Sequence, residues 1–137
     1  MSDRRMILPA LALLSALLVA GPVFAADNDL RQSAIVEIGT AGDAAGLVRA
    51  CGLDPTPIHS AVKLLVNRVR LDPQDSAKAL ARFRINEARM TEDTLSLPSA
   101  PLCDHPYALI QDAVHRLNAV GAAAQTAQTS QPTVAGQ

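Results

Sequence analysis

The stretch TPIHSAVKLLVNRVR, residues 56–70, decides the fold class. Ile58, Ala61, Val62, Leu65, Val66 and Val69 recur at intervals of three and four, while Lys63, Asn67 and Arg70 fall on the opposite side. That is the pattern of an amphipathic helix with one face to bury. Thr56 can cap it, and Pro57 suits the first helical position, where a missing N–H leaves no partner unsatisfied.

The same signals recur on either side. Asp72 followed by Pro73 opens a third helix that extends to about Thr91. Asp104, His105 and Pro106 open a fourth, which is expected to bury Tyr107, Ile110, Val114 and Leu117 and to fade near Gly121. Asp54-Pro55 stands before the second helix, so three helices are introduced by an Asp and a Pro. The intervals between them are unequal, which indicates shared capping chemistry rather than an internal repeat. Upstream, Asp29–Ala50 carries a helical pattern weakened by Gly39, Gly42 and Gly46, each costing nearly 1 kcal/mol relative to Ala. Only residues 42–51 are therefore expected to be firmly helical, with 26–41 flexible or weakly helical and Gly52 as C-terminal cap. Ser96–Pro101 holds too much proline to continue a helix and is expected to be an extended connector. From Ala122 the chain is Ala, Gln, Thr, Ser and Gly with almost no large apolar side chain, so 122–137 is expected to be a disordered tail. No stretch alternates as a strand does. The expectation is an all-α fold, a small bundle of three to four helices with its helical domain at 42–121. Its core is expected to hold Val48, Val62, Leu65, Val69, Leu80, Phe83, Ile110, Val114 and Leu117.

Residues 1–25 read as a secretory signal peptide: Arg4 and Arg5, an apolar stretch over Met6–Ala20, and small residues at Val23 and Ala25. An uncleaved anchor is the rival reading, but the apolar stretch is shorter than the roughly 20 residues a spanning helix needs and is followed by Gly21-Pro22. No cysteine near the cleavage region suggests a lipid anchor, and no integral membrane segment is expected in the mature chain. The protein is thus expected to be exported, to a periplasm or to the extracellular space. In such an oxidising compartment Cys51 and Cys103, the only two cysteines, are expected to form one disulfide. Closing a loop of about 52 residues is worth roughly 4 kcal/mol on the chain-entropy argument. A redox-active pair is the alternative. Catalytic thiols usually lie close in sequence, however, and the charge of Asp104 beside Cys103 opposes thiolate formation.

Removing Asp3, Arg4 and Arg5 from the 12 basic and 13 acidic side chains leaves a net charge of about −2. That balance gives no reason to expect nucleic acid as a partner. Phe83 and Tyr107 are the only aromatics after the signal, so base stacking is also poorly served. His59, His105 and His115 lack the spacing of metal ligands on one helical face. Asp54, His59 and Ser60 are neighbours in sequence, which does not make a triad, and no Gly-x-Ser-x-Gly, phosphate-loop or His-Glu-x-x-His motif occurs. No catalytic residue, metal site or cofactor is expected, and the chain is read as non-enzymatic.

The third helix is the most unusual. Leu80, Phe83 and Met90 with Ala77 and Ala88 trace a wide apolar arc, and Arg84 and Glu87 fall inside it, three apart and able to pair. Snorkelling at the rim accounts for both. The sharper reading makes Phe83, Arg84, Glu87 and Met90 a candidate partner surface, with Lys78, Arg82 and Arg89 forming a basic ridge on the far side. The preferred function is a protein-interaction or accessory module with a protein partner; a small-molecule carrier is the alternative. In general plan, a small exported helical domain with one disulfide, the chain also resembles the acid-stress chaperones of the bacterial periplasm. That resemblance implies a stress chaperone as a further alternative.

Overall fold

The computed structural model describes residues 8–97 and 103–130, with side chains from Asp27 onward. Four helices fill these segments: α1 (Leu8–Ala50), α2 (Thr56–Val69), α3 (Pro73–Leu95) and α4 (Pro106–Thr129). The fold is a small all-α bundle. Helix α1 packs against α3 on one side and against α4 and α2 on the other, and α2 packs on α4. Helix α3 therefore lies at the edge, held mainly by α1. Of the signal-peptide residues, 1–7 lie outside the described residues and 8–25 are described as helical backbone only. The connector at 98–101 also lies outside them. Among the described residues no helix is long and apolar enough to cross a membrane.

The weakly helical segment expected at 26–41 is instead part of α1, and Ala34, Ile38 and Ala41 on it are buried. The glycines that argued against a helix are there because α3 comes too close for side chains. A Cβ on Gly42 would stand 2.5 Å from the carbonyl oxygen of Phe83, and one on Gly46 would overlap the carbonyl of Glu87 and lie 2.7 Å from Met90 Cβ. At Gly39 an added Cβ would make only ordinary contacts with Arg82 and Asn86. Packing thus outweighs a propensity loss of about 1 kcal/mol per glycine. Polar groups of α3 use the opening. Asn86 Nδ2 donates to the Gly39 carbonyl at 2.9 Å, and the Thr91 hydroxyl lies 3.2 Å from the Gly46 carbonyl and 2.7 Å from that of Glu87.

Helix ends follow local chemistry. Gly52 has φ 78°; its N–H donates to the Arg49 carbonyl and that of Leu53 to the Val48 carbonyl, a Schellman turn that needs a residue tolerant of positive φ. Asp72 caps α3 by accepting from the Asp75 N–H at 2.8 Å, with Pro73 behind it. At α2 Thr56 is not the cap: Pro55 holds that position, and Asp54 just ahead of it accepts at Oδ1 from the Thr56 N–H and hydroxyl at 2.9 and 2.6 Å. The disulfide joins Cys51, at the end of α1, to Cys103, just ahead of α4, with the Cα atoms 5.5 Å apart.

The core is rich in alanine: Ala34, Ala41, Ala45, Ala79, Ala113 and Ala124 are buried beside Ile38, Val48, Val62, Leu65 and Leu117. Leu80, Ile110 and Val114, expected inside, are partly buried against it, and Tyr107 is 68% exposed because it points outward from the first turn of α4. Helix α4 does not fade at Gly121. It continues to Thr129 because Gly121 and Ala124 pack inward and Gln128 Nε2 donates to the Arg68 carbonyl at 3.0 Å. The expected tail at 122–137 is thus helical over its first eight residues, and 131–137 lie outside the described residues. Helix α3 likewise runs past Thr91 to Leu95, with Thr94 buried.

Two expectations follow. Gly42→Ala and Gly46→Ala should each lower stability by about 1–3 kcal/mol, the usual cost of overpacking, despite the gain in helix propensity. Gly39→Ala should be neutral or stabilising by up to about 1 kcal/mol. Urea denaturation of the three variants checks the contrast, and equal effects at all three positions would rule out the close crossing. The second concerns acid. Hydrogen bonds from Thr56 hold Asp54 below the ordinary 3.8, and those from Asp75 do the same for Asp72. Their contribution is complete above about pH 4 and is lost as the pH falls through the lowered folded values. Asparagine caps as well as aspartate and does not titrate. The Asp54→Asn/Asp72→Asn variant should therefore match the native protein near neutrality and lose less stability on acidification, as followed by circular dichroism.

Candidate interaction surface

The four candidate residues on α3 do not form one patch. Phe83 is 5% and Glu87 8% exposed, and Met90 is half-buried beside Gly46, whereas Arg84 faces solvent. Positions 83, 87 and 90 are one inward stripe at helical spacing. Phe83 and Met90 of the apolar arc, with Glu87, are thus the side by which α3 is attached, whereas Ala77 and Ala88 of the same arc are exposed; Phe83, Glu87 and Met90 do not form the expected partner surface.

Glu87 does not pair with Arg84. Its Oε1 accepts from Arg49 Nε and Nη2 at 3.1 and 2.7 Å and lies 3.0 Å from His59 Nε2. One buried carboxylate oxygen thereby joins α1, α2 and α3. The His59 ring also meets the Phe83 ring edge to face, with centroids 5.2 Å apart. The Arg49 side chain is half exposed, so this is a junction at the bundle surface rather than a sealed ion pair. His59 turns to Glu87 and not to Ser60, and Asp54 is occupied with Thr56, so the three neighbours in sequence do not converge on one another. Asp112 pairs with Arg116, which also reaches Glu37 of α1 at 3.4 Å, while His115 and His105 are exposed. Among the described residues no group of three His, Cys, Asp or Glu side chains is arranged to hold a metal ion.

What α3 does expose was not picked out by periodicity. Ile85 is 65% and Leu95 67% exposed, on the side turned away from α1. Between the C-terminal half of α3 and the end of α1 runs an open groove of about 590 Å³, bordered by Arg49, Arg84, Ala88, Thr91, Glu92 and Leu95. Arg84, Arg82 and Lys78 take part in no ion pair among the described residues. Arg89, from the same basic ridge, reaches Asp43 at 3.4 Å. Ile85 and Leu95 lie ten apart, nearly three turns, and only the attachment of α3 through Phe83 and Glu87 tells which way they point. A second groove of about 420 Å³ is bordered by Leu53, Pro57, Tyr107 and Ile110.

No protein-family model, curated protein or solved structure matches this chain.

The junction makes a direct prediction. Glu87→Ala strips Arg49 and His59 of their shared acceptor and should destabilise the fold by about 1–3 kcal/mol, the range for a lost charge-assisted hydrogen-bond set that is partly open to water. Arg84→Ala, which breaks no contact of this kind, should stay within about 0.5 kcal/mol. Denaturant midpoints of the two variants provide the comparison; a larger loss for Arg84 would mean the pairing is with Arg84 after all.

Proposed function

We propose that this protein is an exported, non-enzymatic interaction module that presents the outer face of α3 to a protein partner. The observation that carries the reading is the placement of Ile85 and Leu95, two large aliphatic side chains more than half exposed on an edge helix, beside an open groove and cations, Lys78, Arg82 and Arg84, that take part in no ion pair among the described residues. An apolar centre with arginine at its margin is the usual composition of a protein-binding patch. Export is supported by the character of residues 1–25, and the Cys51–Cys103 bond is compatible with an oxidising compartment. Non-enzymatic action is supported by the engagement of His59 with Glu87 of α3 and of Asp54 with Thr56 at the start of α2.

A small-molecule carrier is the second reading, favoured by a groove volume within the range of ligand sites. A native mass spectrum of the protein recovered from its own compartment separates the two. The expected result is a chain beginning at Ala26, two protons lighter than its reduced form, in a complex of protein mass that Ile85→Asp and Leu95→Asp dissociate. Both positions are exposed, so the variants should fold. A small added mass that survives both substitutions would instead establish the carrier.

A further inference from the structure

Lys78, Ile85 and Glu92 stand seven residues apart on α3, and all three are exposed. Seven residues are two helical turns to within about 20°, so the three side chains make one row along the outer surface. The row has a cation at its start, an aliphatic side chain at its middle and a carboxylate at its end. Neither Lys78 nor Glu92 takes part in an ion pair among the described residues. Beside it Ala81, Arg84, Ala88 and Leu95, all exposed, and half-buried Thr91 follow the alternating three- and four-residue spacing of a helix–helix seam.

The order of the row selects its complement. A second α3 laid antiparallel across a twofold axis at Ile85 brings Lys78 of each copy opposite Glu92 of the other and sets the two Ile85 side chains together. A parallel copy would place lysine on lysine and glutamate on glutamate. The same antiparallel register sets Ala81 across from Arg89 and Ala88 across from Arg82, all four exposed, so small side chains meet the larger ones.

We propose that the outer face of α3 is an interface between two copies of this chain, paired antiparallel about a twofold axis near Ile85, with Lys78 and Glu92 setting the orientation. This rests on the reading of that face as a protein-binding surface and names the partner. The contact is isologous and closes at two chains. Its ion pairs lie at the rim and fix register more than affinity, and the two Arg84 side chains approach each other near the axis, so the association is weak and depends on Ile85.

Sedimentation of the disulfide-bonded protein from about 5 µM to about 1 mM at low ionic strength, where surface charges are least screened, tests the pairing. The expected result is a monomer–dimer equilibrium that Lys78→Glu or Glu92→Lys alone weakens by about tenfold, through two reversed contacts per dimer. The Lys78→Glu/Glu92→Lys variant should return to the native value, because the reversed row is again self-complementary. A protein monomeric throughout overturns the proposal, as does a dimer indifferent to the single reversals. If the protein is monomeric while a complex with a different protein dissociates on Ile85→Asp, self-pairing fails and the partner-surface reading stands. A monomer with no such complex removes both.

Discussion

The close approach of α1 and α3 at Gly42 and Gly46 is the constraint on which the rest of the structure depends. Helix α3 rests mainly on α1, so the separation of these two helices sets where every side chain of α3 ends up. At this distance Asn86 and Thr91 reach backbone carbonyls of α1, which is practicable only where the intervening positions carry no side chain. Glu87 is brought by the same contact to the end of α1, within reach of Arg49 and, across the gap, of His59. The glycines thus give up local helix stability and make possible a crossing that several other interactions share.

A core made largely of alanine has a related consequence. Each buried alanine removes little apolar area from water, so stability per residue is low unless helices pack closely over long stretches. Long helices answer part of this need. The disulfide answers another part by tying the end of α1 to the start of α4, which restrains the unfolded chain more than it adds to the native contacts. Arg49 lies two residues before Cys51, so the covalent link and the three-helix junction at Glu87 secure the same end of the bundle. That end is where α1, α2 and α3 meet.

Much of the architecture was legible in particular residues. The 56–70 stretch declared its helix and buried face, Asp72-Pro73 its helix start, Gly52 its stop, and the two cysteines their bond. The misreadings share a cause: each concerned a residue whose meaning depends on a distant neighbour. Gly42 and Gly46 look like helix breakers until α3 is laid against them. The polar run after Ala122 looks unable to pack until Gly121 and Ala124 meet α2. Arg84 and Glu87 look like a local pair, but Glu87 is claimed by partners 38 and 28 residues away. The inward stripe of Phe83, Glu87 and Met90 was visible as an apolar arc; that α1 rather than a binding partner covers it was not.

The exposure of Ile85 and Leu95 follows from how α3 is locked. Turning α3 by one residue, about 100°, would bring other side chains toward α1 and carry Phe83 toward solvent. Such a turn would break the Asn86 bond to the Gly39 carbonyl, the Thr91 contact with the Gly46 carbonyl and all three contacts to Glu87 Oε1. These groups are spread over more than a turn of helix, and all point the same way only in the observed rotation. Polar contacts therefore add to the burial of Phe83 in fixing the rotation of α3, and its outer face carries two large aliphatic groups. The aliphatic side chains on the outer face are consequently a fixed feature of a pinned helix rather than a result of loose packing. A pinned surface of this kind keeps Lys78, Ile85 and Glu92 in one row, so that any partner meets them already arranged.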